Sequence, residues 1–203
     1  MTDMPAQEPG HAAWSAGGDA TFRELMSLFP SGVTVVTAID RTGVPLGLTC
    51  TSMCSVSLSP PMLLTCLHHR SSTLHAMLER GSFAVNLLHS GGQAAAEVFA
   101  TADLDRFAAV RWQPTPVRGL PWLTTDAHAV AECEVAEAKA AGDHVVVFGH
   151  VDGVLTRPGS PLLYGLRSYA AWTGRDGTPT EGTAEWTPAS TVSSSSAGAP
   201  LAG

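Results

Sequence analysis

Apolar positions recur with a helical period only near the start of the chain. Phe22, Leu25, Met26 and Phe29 stand at i, i+3, i+4 and i+7, which is one stripe of a helix. Thr21 and Glu24 have capping-box spacing at its start, and Pro30 stops it. The pattern then changes to short apolar and β-branched runs. Residues 33–39 (VTVVTAI), 62–67 (MLLTCL), 83–88 (FAVNLL) and 145–151 (VVVFGHV) are buried-strand candidates. Ala131, Cys133 and Val135 alternate with Glu132 and Glu134, which predicts a strand with one face in water. Residues 162–167 (LLYGLR) follow a Pro-Gly turn and read as a last strand. Two short helices interrupt the strands. Ser71 or Ser72 caps the first, which carries Leu74, Met77 and Leu78 and ends at Gly81. Ser90 and Gln93 have capping-box spacing before the second, at 94–100. One leading helix followed by many strands does not alternate βαβα. A doubly wound parallel sheet is therefore not expected, and a mainly β fold is: a closed antiparallel barrel with helical decorations.

The flanks differ from this unit. Residues 1–18 are rich in Ala, Gly and Pro without periodicity, and 173–203 resemble them, with a serine run from Ser193 to Ser196. Both are expected to be flexible tails around a single folded unit at 19–172.

Composition narrows the partners. Apolar residues make up 44% of the 203, enough to bury a core. Net charge is −7, and Lys139 is the lone lysine. No basic stripe is present to neutralise a phosphate polymer or an anionic membrane, so neither is expected as a partner. No apolar run reaches about 18 residues, and no basic stretch followed by an apolar one marks a secretory signal. Cys50, Cys54, Cys66 and Cys133 are scattered and form no C-x-x-C pair, which favours reduced thiols and a cytoplasmic location.

Several sites are excluded by their missing motifs: the Rossmann glycine fingerprint, the P-loop, the G-x-S-x-G elbow and H-E-x-x-H. His68, His69 and His75 lie close in sequence but lack a third acidic or thiol partner at metal spacing, and no metal is expected. Four segments carry candidate chemistry. Thr49, Thr51, Ser52, Ser55, Ser57 and Ser59, with Thr65 in the next strand, form a hydroxyl-dense stretch. It suits a wall that donates hydrogen bonds to an anion or a polar ring edge, or else a solvated loop. Ser71, Ser72 and Thr73 open a helix, which is either an anion site or an ordinary cap. Gly142 and Asp143 have turn chemistry, and His144 either projects into a cleft or lies exposed on a hairpin. Arg167 and Tyr169 alternate with Leu166 and Ser168, so both would share one strand face and could receive a phosphate or a planar ring. The plainer reading is a surface ion pair and a core-edge tyrosine.

In order along the chain, FPSGVTVV (29–36), TCTSMCSVS (49–57) with Pro60 and Pro61, Ser71-x-Thr73, Phe83-x-Val-Asn86, Gly142-Asp-His144 and Leu163-Tyr-x-x-Arg-x-Tyr169 resemble the flavin reductase-like family. These proteins are the small reductase components of two-component flavin monooxygenases. The resemblance implies a Greek-key split β-barrel of the FMN-binding type, a homodimer and an NAD(P)H:flavin oxidoreductase. Such an enzyme passes hydride from nicotinamide C4 to flavin N5 and supplies reduced flavin to a partner monooxygenase. By the same resemblance, Thr49, Cys50, Thr51 and Ser52 lie along the isoalloxazine and ribityl chain. Ser55, Val56 and Ser57 serve the phosphate, Cys66 and Leu67 flank the ring or phosphate through backbone, and Ser71 and Thr73 hold the phosphate side. Phe107 borders the flavin. His144 and Tyr169 meet the nicotinamide as the candidate catalytic residues, with His144 in a positioning role, and Arg167 lies near the dinucleotide's charge. FAD is expected ahead of FMN. NADH is expected ahead of NADPH, because a 2′-phosphate needs an arginine pair and bases are scarce. The family often has Ala-Asn-Ser-Phe where this chain has Cys50-Thr51-Ser52-Met53, which changes the hydrogen bonding available to the ring edge. Rival readings are a flavin-storage protein on the same barrel, a haem- or pyridoxal-phosphate-related split barrel, and an interaction domain without cofactor.

Overall fold

Strand pairing in this fold is antiparallel throughout the described residues, so the chain runs as a meander with long-range returns and not as βαβ units. The structure is a computed structural model that describes residues 16–101, 105–172 and 187–188. Helix α1 (Asp19–Ser27) leads to β1 (Ser31–Gly32), β2 (Thr34–Ile39), β3 (Pro45–Cys50), β4 (Met53–Leu58) and β5 (Pro61–His68). Then come α2 (Ser72–Arg80), β6 (Ser82–Leu88), α3 (Gln93–Ala100) and a 3-10 turn (Arg106–Ala108). The short strands β7 (Trp112–Pro114) and β8 (Pro121–Leu123) precede the long hairpin β9 (Ala127–Ala141) and β10 (His144–Thr156). A second hairpin, β11 (Leu162–Gly165) and β12 (Ser168–Ala171), follows, and β13 (Thr187–Pro188) adds to β10. Expectations for the tails at 1–15, 173–186 and 189–203 fall outside the described residues.

The main sheet runs β3-β2-β6-β9-β10-β5-β4. Its two ends, β3 and β4, are consecutive in the chain and separated only by Thr51 and Ser52. The covalent chain therefore draws the two sheet edges together. Cys66 N donates to Ser52 O at 3.1 Å, and Thr34 Oγ1 donates to Cys50 O at 2.7 Å. This is a barrel closed by a crossing strand and split at the crossing.

Two core clusters explain the continuous apolar runs. Val36, Leu67, Met77, Phe83, Cys133 and Val147 fill one. Val35, Ala84, Leu88, Phe99, Leu120 and Leu162 fill the other. Neighbouring residues of β2 and β6 point into different clusters, so these strands are buried on both faces and show no polar alternation. Asn86, like Ser82 at the start of the strand, is a buried polar residue on β6. Its amide donates to Val35 O and Pro121 O, each at 3.2 Å, and its carbonyl accepts from Leu123 N at 2.9 Å. It ties β8 to the barrel.

Several expectations change. Helix α1 starts at Asp19, and Thr21 sits at its third position, where its hydroxyl accepts from Gly18 N at 2.9 Å. The helix ends at Ser27, before Phe29, and its apolar stripe is not buried: Phe22 and Leu25 are each 61% exposed. Ser71 caps α2 as expected, and Gly81 ends it with φ +66°. The Ser90–Gln93 box does not form; Gly92 is the cap of α3, and Gln93 donates instead to Glu97 at 2.8 Å. Glu132 does not face water. It is 1% exposed because its carboxylate accepts from the Thr115 hydroxyl, Val117 N and Arg118 N, closing the turn between β7 and β8. The strand expected at 162–167 ends at Gly165, and Leu166 and Arg167 form the turn of a hairpin.

Candidate active site

A cleft of about 560 Å³ opens where the barrel is split. One wall is the crossing between β3 and β4: Thr51, Ser52, Met53 and Cys54, with Leu64 and Cys66 of β5 beside them. The facing wall is the C-terminal half of α1 with the tip of the β11–β12 hairpin, presenting Arg23, Met26, Tyr164 and Arg167. The Leu166 amide donates to Ser27 O at 2.6 Å, which fixes these two pieces to each other. The volume falls within the range of ligand clefts, roughly 300–1,000 Å³, and a largely apolar lining with few polar groups is typical of them.

Of the residues expected from sequence, Thr51, Ser52, Cys66 and Arg167 line this cleft. Ser52 Oγ donates to Cys66 O at 2.9 Å, so the hydroxyl is held at the floor. Thr51 is exposed, and its hydroxyl has no partner among the described residues. Cys50 lies just behind the wall, its sulfur 3.2 Å from Thr65 Oγ1 and 3.3 Å from Ser52 Oγ. Thr49 turns away: its hydroxyl donates to Ala96 O of α3 at 2.6 Å. Ser55, Val56 and Ser57 continue along exposed β4, where a bulge interrupts the ladder at Val56. Leu67 is core, with its backbone paired to Val145. Ser71 accepts from Leu74 N at 3.4 Å, and Thr73 is buried in the first turn of α2. Phe107 is outside the cleft, edge-on to Phe99 and Trp112 at 5.1 and 5.7 Å.

His144 enters from the tight β9–β10 hairpin. Gly142 at φ +62° takes the first central position of the two-residue turn. His144 pairs with His68 across β10 and β5, while Cys66, which lines the cleft, pairs with Val146. Two residues along a strand place His144 about 7 Å from that pair on the same face. His144 Nδ1 donates to Asp143 Oδ1 at 2.7 Å, and this bond is the main cause holding the Asp143 carboxyl below its usual range. His68 Nδ1 accepts from Arg70 N at 3.1 Å, and desolvation, followed by the neighbouring His69 and Arg70, lowers its pKa. His69 donates to Asp143 O at 2.8 Å, and His75 donates to His69 O at 3.0 Å. These contacts fix the rim at the end of β5. Among the described residues, no group of three metal-ligating side chains converges.

Arg167 and Tyr169 do not share a strand face, because Arg167 belongs to the turn. Tyr169 pairs with Tyr164 across the hairpin, with ring centroids 5.1 Å apart. Tyr164 lines the cleft, while Tyr169 packs towards the core, where burial, then Glu97 and Tyr164, push its phenol up. Sequence reasoning missed Arg23, Met26, Cys54 and Tyr164. The α1 stripe carried a signal, since its apolar period was legible, but nothing local says that its edge borders a cleft.

The thiols give a direct probe. Cys54 is exposed and lines the cleft, Cys50 and Cys133 are buried, and burial, followed by Cys50 and Cys54, raises the Cys66 thiol. Native protein should therefore show one fast-reacting thiol per chain at pH 8, assigned to Cys54 by peptide mapping, and saturating FAD should slow it. Fast labelling of Cys133, or labelling of Cys54 indifferent to FAD, would contradict this placement.

The flavin reductase like domain model matches residues 26–173. A flavin reductase (NADPH) from Lentzea aerocolonigenes is 55% identical over 154 residues, 76% of this chain and 90% of that protein. A flavin reductase (NADH) from Kitasatospora aureofaciens is 49% identical over 154 residues, 75% of this chain and 81% of that protein. Among solved structures, the NADH:FAD oxidoreductase of Streptomyces globisporus in complex with NAD and FAD fragments superposes with TM-score 0.75 at 30% identity, covering 82% of this chain and all of that one (100%).

Proposed function

Because the chain belongs to the flavin reductase-like family, we propose that it is an NAD(P)H:flavin oxidoreductase that reduces free FAD and hands the reduced flavin to a partner monooxygenase. The cleft at the split of the barrel carries this reading, since it is bordered by both the hydroxyl stretch and the hairpin tip. When bound, the flavin accepts at N5 the hydride that a reduced nicotinamide gives from C4.

The chain's own residues position and shield. The crossing at Thr51 and Ser52 offers hydroxyls and strand-end amides to the polar edge of a flat ring, with Met53 and Leu64 giving apolar contact. The N-terminal amides of α2, capped by Ser71, suit the flavin's phosphate, with Thr73 packed beneath them in the first turn. Asp143 orients the His144 imidazole, leaving Nε2 to meet the nicotinamide carboxamide. No proton crosses a side chain in this scheme. Tyr169 supports Tyr164 from below and acts through it. The Cys50-Thr51-Ser52-Met53 sequence gives a short hydroxyl where an amide would reach further, and FAD, with the larger adenosine end to anchor, is the flavin proposed ahead of FMN. A homodimer is proposed because the exposed α1 stripe has no covering partner among the described residues. Four free cysteines support a cytoplasmic location.

The test is steady-state turnover with NADH and NADPH crossed against FAD, FMN and riboflavin. Loss of 340 nm absorbance that requires added flavin is expected; flavin binding without nucleotide oxidation would make the chain a storage protein. In the same assay, His144→Ala should raise the apparent KM for the dinucleotide about tenfold with a smaller change in kcat, as expected for lost ground-state positioning. Unchanged kinetics in both substrates would remove His144 from the site.

A further inference from the structure

We infer that Arg23 and Arg167 form a clamp for a phosphate monoester, and that it takes the 2′-phosphate of NADPH, which makes this pair the determinant of dinucleotide choice. The inference rests on the reductase reading for its ligand, but the clamp itself is read from the cleft. NADH was expected from the scarcity of bases, yet two arginines converge on this cleft, one from α1 and one from the hairpin turn. The Leu166 amide bonded to Ser27 O places the turn against the end of α1. Arg23 precedes Ser27 by four residues, so it lies one helical turn away on the same face. Among the described residues neither guanidinium has a carboxylate partner, whereas Arg41 and Arg118 do.

The turn that carries Arg167 is an independent observation. Leu166 and Arg167 have φ of 50° and 61°. Both central residues at positive φ define a type I′ turn, for which Asn-Gly is the favoured pair. Two side-chain-bearing residues in left-handed conformation are strained, and such strain persists where the surroundings hold it in place. Here it holds an arginine at the cleft edge. Two planar guanidinium forks match a phosphate monoester in geometry and charge. The flavin's own phosphate has a separate candidate at the start of α2, whose residues do not line this cleft.

The decisive measurement is calorimetric binding of adenosine 2′,5′-bisphosphate against 5′-AMP, with Arg23→Gln and Arg167→Gln beside the unmodified protein. The bisphosphate should bind about tenfold more tightly, and each variant should erase most of that difference. In turnover, the ratio of kcat/KM for NADPH to that for NADH should fall about tenfold in each variant. Equal affinity for the two nucleotides, or a selectivity ratio unmoved in both variants, overturns the clamp. So does a loss confined to FMN and FAD relative to riboflavin, which would assign the arginines to the flavin's phosphate. The binding arm needs no turnover, so it judges the clamp even for a chain that oxidises neither dinucleotide, a result that would sink the reductase reading alone.

Discussion

Glu132→Ala should lower the stability of the fold by about 3 kcal/mol, read as a lower urea midpoint at unchanged slope. The carboxylate is buried and accepts from the Thr115 hydroxyl, from Arg118 N at 2.7 Å and from Val117 N at 3.3 Å. Thr115 in turn accepts from Leu120 N at 2.8 Å, so one side chain organises the whole turn between β7 and β8. Removing it strands the buried Thr115 hydroxyl, worth roughly 1–3 kcal/mol when unpaired, and two amides that are only partly shielded from water. Water entering the adjoining cavity of about 150 Å³ offsets part of that loss. Small domains have only about 5–15 kcal/mol in hand, so the change is large. Glu132→Gln keeps one acceptor oxygen and should cost about half as much. A Glu132→Ala protein as stable as the unmodified one would mean that this turn is held by other contacts.

Thr51→Trp should reduce flavin turnover about 100-fold while leaving stability within about 0.5 kcal/mol. Thr51 is exposed, so the indole meets no core atom, but it fills the wall of the cleft. Two rings that must stack face to face tolerate little displacement, and a misplacement of about 1 Å can cost this much. Leu58→Trp, at the far end of β4, is the control. Leu58 is 94% exposed and outside the cleft, so its variant should turn over normally. Equal activity in both variants would move the reaction away from the β3–β4 crossing.

The barrel was legible where residues determine their surroundings locally. β-branched runs gave the strands, Ser71 and Gly81 gave the ends of α2, and Gly142 gave the β9–β10 turn. What escaped was decided by distant partners. Glu132 looks like a water-facing position because alternation cannot register a turn, 14 to 17 residues earlier, that needs an acceptor. The last strand read through Leu166 and Arg167 because neither is a turn former, and the hairpin pairing together with the contact to Ser27 holds them at positive φ. The site was legible in part for the same reason. The hydroxyl stretch stood out in composition, and Thr51 and Ser52 do line the cleft, but Thr49 is claimed by Ala96 of a helix far along the chain. Arg23 and Tyr164 reach the cleft only through the packing of α1 on the hairpin, a tertiary fact without a local signature.

Hydride transfer requires two flat rings to meet at the split of the barrel. A crystal structure of the protein with FAD and NADP⁺ tests this most directly. The isoalloxazine is expected against Ser52, Met53 and Cys54, with the nicotinamide stacked on it towards His144 and the 2′-phosphate between Arg23 and Arg167. A flavin ring seated elsewhere, such as beside Trp122 and Glu132, with the split of the barrel left to solvent, would contradict it.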